Sequence, residues 1–260
     1  MNNFSKSNYT YTTVLSDTDE QGVCSIRLNR PQSLNAMNRQ LIDDLAKAFE
    51  DANANPAAKA IILTGEGRAF CAGDDRVEHV HPENEAAAQD LVDAIQRVTR
   101  AMVLGEKPIV GAINGWAVGG GFEWAINCDF SIWAKSAKAF FPEVSLNLFV
   151  TGAVTSLLPA LVGLNKAKEM LFLGQHYQAE QLAQMGVAWR VVEDHELLEQ
   201  AYALATQLAQ LPILSVRAMK RVLNQTASAD LETALKLETE ATVTGFMDPH
   251  TTELLLKFNQ

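Results

Sequence analysis

Gly115-Trp116-Ala117-Val118-Gly119-Gly120-Gly121-Phe122-Glu123 joins a candidate strand over residues 108–113 to a helical run over residues 122–128. Three consecutive glycines cost conformational entropy unless the backbone must come close to something. A helix beginning there offers unpaired N–H groups and the positive end of its dipole, which suit an oxyanion. Close helix–sheet packing explains the glycines equally well. A dinucleotide fingerprint fails, because glycines at 119 and 121 require a third at 124, which is Trp124.

Working outward, residues 23–29 alternate apolar and polar side chains, the pattern of a strand. Asn38 is placed to cap a helix whose apolar face is Leu41, Ile42, Leu45 and Phe49, and which ends near Asn55-Pro56. Residues 60–63 read as a short buried strand, and Leu91, Ala94, Ile95, Val98, Ala101 and Met102 mark a second amphipathic helix closing near Gly105. Residues 130–134 are another strand. This alternation predicts parallel strands with crossover helices. Beyond about Gly152 the pattern is almost wholly helical, with residues 189–192 its one strand; the fold class is α/β with a helical C-terminal extension. Lys166, Lys168, Arg217, Lys220 and Arg221 read as solvated helix faces.

Glu123 and Glu143 carry the chemistry. Both lie in largely apolar sequence, so each must find partners or have its pKa pushed upward by desolvation. Converging on one pocket, they could divide general-acid and general-base duties. Taken singly, each could instead answer a buried backbone donor. A second glycine-bearing loop, residues 65–75, follows the strand at 60–63; small residues at Ala72 and Gly73 let a ligand approach peptide N–H groups, though an ordinary strand-to-loop turn has the same composition. In that loop Asp74 and Asp75 read as solvated and Cys71 as packing.

Composition narrows the classes. The chain has 260 residues, 48% of them hydrophobic and 20% charged, enough for a substantial core. A net charge of −10 and no basic aromatic patch argue against nucleic acid. Three scattered cysteines and no CxxC pair point to a reduced, cytoplasmic setting. No signal peptide is evident at the N-terminus, and the uncharged stretch 144–165 is broken by Asn147, Thr151, Gly152, Thr155, Ser156 and Pro159, so no membrane span is expected. The five histidines show no metal-ligand spacing; His79 and His81, two apart, do not share a helical face.

These motifs, in this order, resemble the crotonase superfamily, the enoyl-CoA hydratase/isomerase family. Supporting pieces are Leu28-Asn29-Arg30-Pro31, Asn35-Ala36-Met37-Asn38, Leu63-Thr64-Gly65 running to Gly73-Asp74, Lys107-Pro108 running into the triple glycine, and the run from Ala179 to Ala188. The resemblance implies a crotonase-type spiral of ββα turns over residues 1–200, with a helical trimerisation region over 201–260, assembled as a trimer or dimer of trimers. It implies that the N–H groups of Ala72 and Gly120 form an oxyanion hole, and that Ala36 and the loop Ala72, Gly73, Asp74 and Asp75 line the path of the CoA arm. Glu123 and Glu143 fall where hydratases of the family carry their catalytic pair.

The implied activity is reversible syn hydration of a 2-enoyl-CoA. The alternatives are 3-enoyl to 2-enoyl isomerisation and non-catalytic acyl-CoA binding. No cofactor or metal is implied beyond the coenzyme A of the substrate. Arg30 and Lys257 are candidates for the CoA phosphate and adenine end. Residues 76–89 are expected as a mobile flap over the acyl pocket. The segment 146–153 departs from the family's Gly- and Pro-containing loop, and Trp116, Phe122 and Trp124 are bulkier than the resemblance leads one to expect, which places large aromatics near the acyl group.

Overall fold

A computed structural model describes residues 10–227 and 231–258. In chain order its elements are β1 (Val14–Thr18), β2 (Val23–Leu28), α1 (Arg39–Ala54), β3 (Ala60–Gly65), β4 (Ala69–Cys71), α2 (Glu85–Val103), β5 (Ile109–Ile113), β6 (Trp116–Val118), α3 (Gly120–Ile126), β7 (Phe130–Ala134) and β8 (Lys138–Phe140). Then follow α4 (Val154–Val162), α5 (Leu164–Leu173), β9 (Tyr177–Gln178), α6 (Ala179–Gln184), β10 (Arg190–Val192), α7 (Leu197–Ala209), α8 (Ile213–Ala227), α9 (Leu231–Phe246) and α10 (Pro249–Phe258).

Two sheets share these strands. The larger runs β1-β2-β3-β5-β7-β10 and is parallel except for the β1–β2 pair. The smaller runs β4-β6-β8-β9, with β4, β6 and β8 parallel. Successive turns therefore place β3, β5 and β7 in one sheet and β4, β6 and β8 in the other, which is a spiral of ββα units. β3 and β5 are buried along their whole length, as parallel strands covered on both faces must be.

The helix boundaries follow from local chemistry. Asn38 accepts from Leu41 N at 2.9 Å and caps α1, as its position predicts. Asn84 accepts from Ala87 N at 3.0 Å and caps α2. That cap starts the helix at Glu85, so the second part of the stretch read as a flap is helical. Helix α4 escapes a reading by periodicity because Pro159 lies inside it.

Two charged side chains read as solvated are built into the interior. Lys220 is buried, and its ammonium donates to Met102 O, Lys107 O and Asp129 Oδ2 at 2.8–2.9 Å. Its bond to Met102 O lies at the end of α2, where the helix dipole favours a cation. Asp75 is buried against Arg30 at 2.6 Å and accepts from Val77 N and Glu78 N at 3.1 Å. Arg30, equally buried, also donates to Ala36 O at 2.5 Å and to Glu78 at 2.6 Å. All of its charge is spent inside the fold, so it is no partner for a phosphate. Phe122 and Trp124 are fully buried, Phe122 meeting Trp133 edge-to-face and lying tilted against Phe141, while Trp116 packs on Phe140 and His176. These aromatics are framework and do not line a ligand cavity.

Candidate active site

The parallel strands of the smaller sheet end at one place. Beyond the carboxyl ends of β4, β6 and β8 lie the 72–75 loop, the triple glycine and the 3₁₀ turn Glu143–Leu146. Together they open onto a cavity of about 440 Å³. Its walls are largely apolar, with Met37, Ile42, Leu91, Ile95, Leu148 and Phe246 among them; Glu123 and Glu143 both face it. Ala72, Gly73, Asp74 and Gly120 line it too. Ala36 and Asp75 do not: Ala36 is buried, and Asp75 is turned to Arg30.

Glu123 sits in the first turn of α3 and is 2% exposed. Thr151 N donates to its Oε1 at 2.8 Å, and the Thr151 hydroxyl donates to its Oε2 at 2.5 Å. Burial pushes its pKa up to about 7, while both Thr151 bonds act to lower it. Glu143 is held differently. Its Oε2 is buried and has no hydrogen-bond partner among the described residues. Burial, and then the neighbouring charge of Glu123, raise its pKa well above the usual carboxylate value. Two carboxyls in one cavity, one held by two Thr151 donors and the other with only its own backbone N–H, favour a carboxylate at Glu123 and a carboxylic acid at Glu143.

Glycine is required beside each acid. At Gly119 φ is +51° and an added Cβ would stand 2.6 Å from Glu143 Oε1. At Gly152 φ is +64° and an added Cβ would meet Glu123 Cβ at 2.7 Å. The left-handed backbone at Gly152 continues into Ala153, a non-glycine at φ 57°. That conformation costs on the order of 1 kcal/mol. Glu238 of α9 holds it in place: buried completely, it accepts from Ala153 N at 2.7 Å, Thr155 N at 3.0 Å and the Thr155 hydroxyl at 2.7 Å. Sequence reading missed Glu238, Thr151, His79 and Phe246, whose places in this site come from elements distant in the chain.

The amides divide as well. Ala72 N–H, implied as an oxyanion donor, donates to Leu34 O at 3.1 Å and is committed inside the protein. Two residues on, Asp74 lies between two bonded positions, with Met37 N on Gly73 O and Asp75 N on Met37 O, and its own N–H has no acceptor among the described residues. Gly120 N–H, at the first position of α3, also has none. Asp74 and Gly120 thus present the free amides of this cavity.

A spiral of ββα turns whose strand ends carry paired buried carboxyls and free amides is an enzyme fold of the crotonase kind. The family profile for enoyl-CoA hydratase/isomerase matches residues 18–258, and the chain belongs to that family. It is 32% identical over 223 residues to a crotonyl-CoA hydratase of Syntrophomonas wolfei, covering 85% of each chain. It is 33% identical over 223 residues to a 1,2-epoxyphenylacetyl-CoA isomerase of Escherichia coli, covering 84% of this chain and 85% of that one. A crystal structure of an enoyl-CoA hydratase/isomerase from Pseudoalteromonas atlantica superposes with a TM-score of 0.86 at 27% identity, over 95% of this chain and 97% of the other.

Proposed function

We propose that the chain catalyses reversible syn addition of water to a 2-enoyl-CoA thioester. The observation that carries this reading is the opposed environment of Glu123 and Glu143 around one cavity. The thioester oxygen accepts from Asp74 N–H and Gly120 N–H. Glu123, as carboxylate, takes a proton from water while the water oxygen bonds to the β-carbon. The π electrons move onto the thioester oxygen, and that developing charge is what the two amides stabilise, by roughly 3–4 kcal/mol per donor. As the enolate collapses, Glu143 delivers its proton to the α-carbon. Exchange of protons with solvent then restores both acids.

No cofactor enters this scheme beyond the coenzyme A of the substrate. Assembly as a trimer or a dimer of trimers through the C-terminal helices is part of the same proposal, supported by exposed apolar side chains such as Leu214 and Met219 on α8; sedimentation at a monomer mass would contradict it. Among the described residues no helix is long and apolar enough to cross a membrane. A cytoplasmic site of action is supported by the three free cysteines, Cys24, Cys71 and Cys128.

Turnover on a panel of 2-enoyl and 3-enoyl thioesters, read by mass, tests the activity. Gain of one water on the 2-enoyl esters is expected. Mass-neutral conversion of 3-enoyl esters without hydration identifies an isomerase instead, and tight binding without turnover identifies a binding protein.

A further inference from the structure

One polar group in the apolar wall is not used by the hydration chemistry. His79 lines the cavity, its Nδ1 lies 2.8 Å from Asp74 Oδ2, and its side chain is 14% exposed. The ring is backed by Phe246, with centroids 6.3 Å apart and planes 26° from parallel. Its Nε2 is buried with no hydrogen-bond partner among the described residues. A buried, unanswered ring nitrogen costs free energy that a ligand can recover. Asp74 is also the residue whose amide is offered to the thioester oxygen, so His79 is fixed to the same loop as the reacting end of the substrate.

We propose that His79 is a specificity-determining residue that binds an uncharged oxygen (a ketone, hydroxyl or ether) carried by the acyl chain beyond its reacting carbons. The inference rests on the acyl-CoA reading above. Asp74 raises the basicity of the imidazole, so Nε2 bears a proton to donate when the ring is charged. Charge decides the ligand class. Imidazolium and Asp74 sum to zero; Arg76, which also lines the cavity, is exposed, screened by water and in the field of Asp74. A carboxylate here would add an uncompensated negative charge to a cavity that already holds the Glu123 carboxylate. A neutral oxygen accepts the hydrogen bond without that penalty.

Calorimetric binding of saturated CoA esters tests this: heptanoyl-CoA, its derivatives with a ketone at the fourth, fifth or sixth carbon, and a chain-matched ester ending in a carboxylate. In the wild-type protein one keto ester is expected to bind about tenfold more tightly than heptanoyl-CoA, the worth of a hydrogen bond to a charged donor. His79→Leu should erase that preference and His79→Gln, which keeps an N–H donor, should retain part of it, with thermal unfolding confirming that each variant is folded. Equal binding of keto and plain esters overturns the proposal, as does a preference that survives His79→Leu, or tightest binding of the carboxylate. Saturated esters cannot be hydrated, so this outcome stands apart from the test of hydratase chemistry.

Discussion

The two sides of the cavity are built on different plans. On the Glu123 side the acid rises from a helix and is gripped by Thr151, whose segment is fixed in turn by Asn127 to Gly152 O at 2.7 Å and by Glu238. On the Glu143 side the acid stands on a 3₁₀ turn of four residues with one oxygen left unanswered. The contrast teaches that protonation state is written into the donors around a carboxyl rather than into the carboxyl itself. A fixed, donor-rich site keeps a base ionised despite burial, and a bare one keeps an acid protonated.

Breaking either acid should have the largest effect. Glu123→Gln and Glu143→Gln are each expected to lower kcat about a thousandfold with folding intact; loss from one variant alone would remove the division of labour. Crowding an acid comes next. Gly119→Ala should cost up to about a hundredfold in kcat, since its Cβ would displace Glu143, and Gly152→Ala should do the same through Glu123. Steady-state kinetics beside a melting curve separates this from unfolding.

Thr151→Val sharpens the comparison further. It removes the hydroxyl donor to Glu123 while leaving the amide, so the carboxylate loses support and its pKa moves up from about 7. The acidic limb of the kcat/KM profile should shift to higher pH by about one unit, roughly a tenfold loss on the acid side and little on the alkaline side. A uniform loss across pH would mean that Thr151 only shapes the loop. Because the acids are coupled, the limbs belong to the pair.

A further expected effect is on stability, apart from the chemistry. Burial raises Glu238 to about 7, so between the unfolded value near 4.5 and that pH the folded state holds a proton the unfolded chain has lost. Its contribution is fully present below the unfolded pKa and disappears as pH rises through about 7, by up to about 3 kcal/mol. Urea unfolding at pH 5 and pH 8 should show this decline, and Glu238→Gln should flatten it.

How much of this was legible in the chain depends on whether the signal is local. Asn38 as a cap, the apolar face of α1 and the strands at β2, β3, β5 and β7 follow from neighbouring residues and were readable. The glycine run and both glutamates were readable as a constellation, and the order of motifs carried the family. Contacts between distant segments were not. Nothing in the residues next to Ala72 shows that Leu34 O will occupy its amide, and nothing near Glu123 names Thr151 as its partner. Charge was misread wherever a partner came from afar, as for Lys220 with Asp129 and Asp75 with Arg30. The bulk of Phe122 and Trp124 suggested a shaped acyl pocket, yet α3 turns both rings inward, because only one face of so short a helix meets the cavity.

The division of duties between the two acids is most directly tested by running the hydration of a 2-enoyl-CoA in deuterium oxide enriched in oxygen-18. The account predicts one oxygen-18 at the β-carbon and one deuterium at the α-carbon, delivered to the same face. A mass-neutral isomer, or addition to opposite faces, would contradict it.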